Sequence, residues 1–245
     1  MFLNNDKTKY IIFHKKKKKI PNSIESVKID NVIIERKQSI FFLGTHIEEC
    51  LDWKCHIDYV CSKISRSTDV LYKLKNILPR NILMKIYNST ILPHLNYCNV
   101  IWGNTYKTKL DKIYKLQKRI ARLITNSSYL SPSMPLFLKL KIIPVSYLIK
   151  LNTSIFMFKF HKNLLPSIFC NMFQTNSSIH NYPTRQSKNL HIPLCHSTLL
   201  YNSLSFIGVR EWNSLNCNIR SSTTITRFKS MYKKYIFKDM LSMTE

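Results

Sequence analysis

The stretch Leu110–Ile124, LDKIYKLQKRIARLI, carries the clearest periodicity in the sequence. Successive residues of an α-helix are turned by about 100°. That rotation collects Leu110, Ile113, Leu116, Gln117, Ile120 and Ile124 on one side and Lys112, Lys115, Lys118, Arg119 and Arg122 on the other. A helix with so sharply divided faces needs a core to lean on. Solvated basic faces commonly interleave Glu for i,i+4 pairing, and this one has none. The five cations are therefore candidates for phosphate contact.

The flanking sequence keeps the helical period. Trp53, Ile57, Val60, Cys61, Ile64, Leu71, Leu74 and Leu78 recur at three- and four-residue steps until Pro79, which predicts one long amphipathic helix. Ile82, Leu83, Ile86, Tyr87 and Ile91 predict a second, ended by Pro93 and packed antiparallel on the first. Downstream, Ile142 to Phe160 reads as a helix or two, Asn176 to Asn189 as loop, and Leu199 to Trp212 and Thr226 to Phe237 as further helices. The last has Phe228, Met231, Tyr232, Tyr235 and Ile236 inward, with Arg227, Lys233, Lys234 and Lys238 outward.

Upstream the period drops to two. Thr8 to Phe13, Val27 to Ile29, Val32 to Glu35 and Ser39 to Leu43 read as strands, with a turn at Asp30-Asn31 and Gly44 after the last. Lys15 to Lys19 forms a run between the first strand and Pro21, a solvated loop or a nuclear-import or phosphate-binding element. Three glycines against nine prolines argue against a turn-rich sandwich or a Rossmann-type fold. The expected class is α+β, mostly α: a small N-terminal antiparallel sheet over 1–51, a helical bundle over 52–130 and further helices with loops over 131–245.

Charge narrows the function. The formal net charge is +25, and from Lys112 to Arg210 thirteen Lys and Arg stand without one Asp or Glu. Such a segment sits against a polyanion or repels itself, so binding is expected before catalysis. Seven scattered cysteines in a chain of this size point to a reduced, intracellular setting, nuclear or cytoplasmic. Met1 to Phe13 has no signal core, and the uncharged stretch Asn189 to Val209 is broken by His191, Pro193 and His196, so no membrane span is expected.

Motifs for chemistry are missing. There is no Gly-rich phosphate loop, no Gly-x-Ser-x-Gly elbow and no His-Glu-x-x-His. Cys50, Cys55, His56 and Cys61 lack zinc-site spacing, and the cysteines are expected as small buried or half-buried side chains. His94 and Cys98 are two ligands at most. Glu48-Glu49 is expected on a solvated turn, and nothing converges carboxylates for two-metal phosphoryl transfer. No catalytic residue and no metal ligand is assigned. Trp102 and Tyr114 are read as core rather than as stacking platforms.

A set of ordered short strings resembles one family across essentially the whole chain. They begin with Asn4-Asn5-Asp6-Lys7-Thr8-Lys9-Tyr10-Ile11-Ile12-Phe13, Phe42-Leu43-Gly44, Leu51-x-Trp53-x-x-His56-Ile57 and Lys63-Ile64-Ser65-Arg66. Leu78-Pro79, Tyr87-x-Ser89, Pro93-His94-Leu95-x-Tyr97-Cys98, Trp102-Gly103, Leu116-Gln117-Lys118-Arg119 and Pro135-Leu136-Phe137 follow. His180-x-Tyr182-x-Thr184-Arg185, Gly208, Trp212-Asn213, Ile219-Arg220 and Phe228-Lys229 complete the series. Together they resemble the region after the catalytic motif in reverse transcriptases of jockey-like non-LTR retrotransposons.

The resemblance implies the C-terminal part of an RNA-directed DNA polymerase. The Tyr/Phe-Ala-Asp-Asp strand that carries that family's carboxylates is expected upstream, and no Asp-Asp pair occurs here. By analogy the initial sheet is the end of the palm, Phe42-Leu43-Gly44 a primer-grip-like turn, and Trp53 to Ile124 the thumb and the helices after it. The chain alone is then expected to be inactive, with no cofactor of its own and Mg2+ required only by the intact polymerase. Its expected partners are RNA, DNA or an RNA–DNA hybrid, together with the rest of the polymerase. The alternative is a stand-alone basic nucleic-acid-binding protein derived from a retroelement relic. One departure is Pro193-Leu194-Cys195-His196-Ser197, where the family commonly has Pro-x-x-Arg-Thr; the missing Arg weakens the case for a phosphate contact there.

Overall fold

The computed structural model describes residues 8–15, 27–29, 31–179, 182 and 184–243. Lys16 to Lys19 of the lysine run, Asp30 of the expected turn and His180 lie outside the described residues. Helices hold 59% of the described residues, so the mostly-α reading is the architecture. The chain divides into two compact units, Met1–Tyr59 and Val60–Glu245.

In the first unit, β1 (Lys9–Tyr10), β2 (Val27–Ile29) and β3 (Val32–Arg36) form one sheet in the order β1-β3-β2. The sheet is not wholly antiparallel as expected: β2 pairs antiparallel with β3, but β1 pairs parallel with it, Lys9 opposite Glu35. The β2–β3 hairpin occupies one edge of β3, which leaves the other to β1. The long stretch between Tyr10 and Val27 satisfies the crossover a parallel neighbour needs. A separate hairpin joins β4 (Ser39–Phe42) to β5 (Thr45–Glu48), a strand the sequence reading overlooked. Its two-residue turn, Leu43-Gly44, has positive φ at both positions, 43° and 79°, as a primed turn requires.

Glu48-Glu49 is not a solvated turn. Glu48 ends β5, and Glu49 accepts from Arg36 Nη2 at 2.8 Å and faces His14 Nε2 at 3.3 Å. Although partial burial works against the charge, the hydrogen bonds from Arg36 and His14 hold the Glu49 carboxyl below its ordinary range. Glu35 bonds Lys37 and Lys9, which together lower it to about 2.

Helix α1 (Lys54–Leu74) begins one residue after Trp53, whose positive φ of 61° stops the helix from starting earlier, and ends before Ile77 and Leu78. The expected second helix runs through Pro93. α2 (Arg80–Ile86) passes into a π turn, Tyr87–Ile91, and then α3 (Leu92–Asn96). The Leu92 N–H reaches back to the Tyr87 carbonyl, and Pro93, with no N–H to give, falls in the first turn of α3 where none is needed. Leu83, Tyr87, Ile91 and Leu95 keep one buried face through all three pieces. The principal packing partner of α2 beyond this continuation is α5 rather than α1.

There follow α4 (Asn99–Trp102), α5 (Lys107–Thr125), α6 (Ser133–Leu140) and α7 (Val145–His161). α7 is apolar on nearly every side, with Val145, Leu148, Ile149, Leu151, Met157 and Phe158 buried, as a helix at the centre of a bundle must be. Around it pack α3, α4, α5, α10 (Leu204–Ser214) and α12 (Ile225–Ser242). Between these lie the single turns α8 (Asn176–Ile179), α9 (Thr198–Tyr201) and α11 (Cys217–Arg220). The expected loop 176–189 thus opens with a helical turn, and a bridge pairs Thr175 with Leu190. α5 packs on both α6 and α7.

Two glycines allow close approach to α7. A Cβ on Gly208 would lie 2.8 Å from Met157 Sδ, and one on Gly103 would lie 2.7 Å from the Ile149 side chain and 2.3 Å from the Asn99 carbonyl. With so few glycines, helix ends use other residues in the left-handed region. Asn126, Lys141 and Asn163 each have φ near 50°, and each is followed by an N–H that bonds back to the helix. In α12, Phe228, Tyr232, Ile236 and Met240 are buried, whereas Tyr235, expected inward, is exposed. No helix among the described residues is long and apolar enough to cross a membrane.

Candidate nucleic-acid interface

α5 is held from its apolar side. Ile113, Ile120 and Ile124 are buried as expected, joined by Ala121, while Leu110 and Leu116 are half-buried. Gln117 is only 1% exposed and fully engaged. Its Nε2 donates to Tyr87 Oη at 3.1 Å and to the Ile143 carbonyl at 3.0 Å, and its Oε1 accepts the Val145 N–H at 2.8 Å. One amide therefore fastens α5 to the π turn and to the first N–H of α7. Burial pushes the Tyr87 phenol up to about 12, against the smaller opposing effect of the Gln117 bond.

The five cations do not share one environment. Lys112, Lys115 and Arg119 are exposed. Lys118 is half-buried, its Nζ 4.7 Å from the centre of the Tyr114 ring, which lies 6.1 Å from that of Phe137. Arg122 is also half-buried: Nε and Nη2 both donate to the Ser131 carbonyl, at 3.0 and 2.9 Å, and the guanidinium lies over Tyr129. Arg122 thus fastens the α5–α6 connection. The exposed cations rise about 1.5 Å per residue along a straight axis, so Lys115 and Arg119 stand one turn apart on a helix that cannot roll.

The other sequence-predicted site residues, Phe42, Leu43 and Gly44, belong to the first unit. Phe42 and Leu43 project from the hairpin tip, with Leu43 74% exposed, and Thr45 Oγ1 donates to the Phe42 carbonyl at 2.9 Å. Below the tip, Phe41, His46 and Tyr59 form an aromatic cluster with ring centres 4.7 to 5.7 Å apart. The structure does not unite this turn with α5 in one unit.

Trp102 is wholly buried, its indole N–H donating to the Tyr97 carbonyl at 2.8 Å. Among the described residues no three His, Cys, Asp or Glu side chains are placed to hold a metal ion. Cys55, expected at least half-buried, is exposed. His56 is buried and accepts the His46 N–H through Nδ1 at 3.3 Å. Cys98 lies beyond the end of α3 with φ of 50°, so it shares no helical face with His94.

Sequence reasoning missed a groove of about 630 Å³ beside α7, whose lining includes Lys141, Lys159, Lys229 and Lys233. Their separation in sequence leaves no local signal. No protein-family model, no curated protein and no solved structure matches the chain.

Proposed function

We propose that this chain is the C-terminal, thumb-containing part of a retrotransposon RNA-directed DNA polymerase and that it grips a template–primer duplex through α5. The observation that carries the reading is the exposed Lys112, Lys115 and Arg119 on a helix whose opposite face is locked into the core by Gln117 and three isoleucines. A rigid row of cations without interleaved acids suits phosphates, which need positioning and charge but no base-specific contact. The resemblance of the ordered motifs to the polymerase family favours the duplex, and the Phe42-Leu43-Gly44 turn, with Phe42 and Leu43 exposed, suits a primer terminus.

Catalysis is assigned elsewhere, because the 245 residues hold no adjacent aspartates. Their own part is binding and orientation. The stand-alone reading, a basic RNA-binding protein without a polymerase, draws support from the single compact unit formed by Val60–Glu245. Titrating a labelled RNA–DNA hybrid at rising salt tests the common claim. Affinity is expected to fall steeply, by several counterions released on a log–log plot. A salt-independent affinity, or none at low salt, sinks it.

A further inference from the structure

The groove beside α7 combines three kinds of chemistry. Lys229 and Lys233, one turn apart on α12, border it together with Lys159 of α7 and Lys141, which follows α6. None of these four amines has a side-chain partner among the described residues, and no acid lines the groove. Asp239, the acid of α12, is turned to another task and accepts from Tyr147 Oη at 2.6 Å. Four ammonium groups around one cavity repel each other, and a bound polyanion removes that repulsion.

The remainder of the lining is of a different character. Leu92, Ile155 and Phe156 supply half-buried apolar surface, and Phe156 is fixed edge-on against Phe169 at 5.6 Å. Asn96, Asn99 and Asn152 form an amide cluster, Asn152 Nδ2 donating to the other two side chains at 3.0 Å each. An apolar wall beside amides and cations is a surface for a flat heterocycle carrying phosphate. A volume of about 630 Å³ lies within the usual span for small-ligand sites.

We propose that this groove binds a nucleotide unit, its phosphates held by Lys141, Lys159, Lys229 and Lys233 and its base laid against Phe156 and the asparagines. No residue of α5 lines the groove, so the site stands whether or not α5 holds a duplex. The unit is either a free nucleotide or one member of a single strand, and the chemistry of recognition is common to both.

The test uses the full chain, with ATP bearing a fluorescent ribose label as probe. Saturable binding is expected, weakened about tenfold or more in Lys229→Gln/Lys233→Gln, largely restored in Lys229→Arg/Lys233→Arg, and unchanged in Lys115→Gln/Arg119→Gln. Thermal melts followed by circular dichroism check that each variant folds. Displacement by a short oligothymidylate assigns the unit to a strand, and displacement by unlabelled ATP alone assigns it to the free nucleotide. Inorganic tripolyphosphate competing as well as ATP overturns the proposal, as does equal loss in the α5 variant or no saturable binding of the probe.

Discussion

Gln117 Oε1 accepts the backbone N–H of Val145 across 28 residues of sequence. That N–H is among the first of α7, which have no partner inside their own helix. The same amide donates to Tyr87 and to Ile143, so three buried polar groups depend on one side chain. Gln117→Leu fills the space but abandons them. A loss of about 2 to 3 kcal/mol is expected in urea unfolding, since each orphaned buried group costs about 1 to 3 kcal/mol. A loss below about 0.5 kcal/mol would show that water replaces the amide, and with it the rigidity claimed for α5.

The two glycines that pack against α7, Gly103 after α4 and Gly208 in α10, are expected to differ. Gly208→Ala gains helix propensity, about 0.5 to 1 kcal/mol, and its new methyl meets side-chain atoms alone, Met157 Sδ at 2.8 Å and Leu204 Cδ1 at 3.1 Å, which can give way more readily than backbone. Little net change is expected. Gly103→Ala meets a backbone carbonyl and a buried Ile149 that cannot withdraw, so a loss of about 1 to 3 kcal/mol is expected. Thermal melts of the pair decide it. Equal stabilities would mean that α4 shifts freely on α7.

These contacts mark where the sequence stopped being legible. The face of α5 was readable because period and charge agree within fifteen residues. Gln117 was placed on the apolar side by the same count, but nothing local names Tyr87, Ile143 or Val145 as its partners. Arg122 looked like its neighbours because its distinction arises only when the chain returns to Ser131. Pro93 read as a stop because the rule presumes an unbroken α-helix, and a π turn places that proline at a fresh start. β5 was missed although Thr45-His46-Ile47-Glu48 alternates, since Leu43-Gly44 lacks the Asn or Asp that usually announces a primed turn. The groove lysines meet only after the last helix docks.

The division within the basic face gives a separable outcome. Lys115→Gln/Arg119→Gln removes exposed cations with no apolar task, so stability should stay within about 0.5 kcal/mol. Hybrid affinity should fall, and the salt slope should shrink by about two, one for each phosphate that is no longer neutralised. Arg122→Gln should instead cost about 1 to 2 kcal/mol of stability through the broken bidentate bond to Ser131, with the salt slope nearly unchanged. Binding isotherms at several salt concentrations, with melts of each variant, separate the two. The reverse pattern would transfer the interface from the exposed cations to Arg122.

His56 gives the first unit a pH dependence. Burial, assisted by the nearby charge of His46, lowers its imidazole from 6.5 to about 4, and Nδ1 must stay unprotonated to accept the His46 N–H. Between those values the unfolded chain binds a proton that the folded chain refuses. Stability is therefore full above pH 6.5 and declines as the pH falls toward 4, by about 3 kcal/mol at most. The lowered carboxyls of Glu35 and Glu49 act in a different window, their contribution being lost only below about 4.5. His161, also lowered by burial, adds to the trend within the second unit. His56→Asn keeps an acceptor for the His46 N–H and removes the titration. Denaturant unfolding between pH 4.5 and 6.5, followed by Phe41 and Tyr59 environment in near-UV circular dichroism, should show the proton uptake on unfolding reduced by about one in that variant. An unchanged uptake would mean that His56 is protonated in the folded chain, contrary to its role as acceptor.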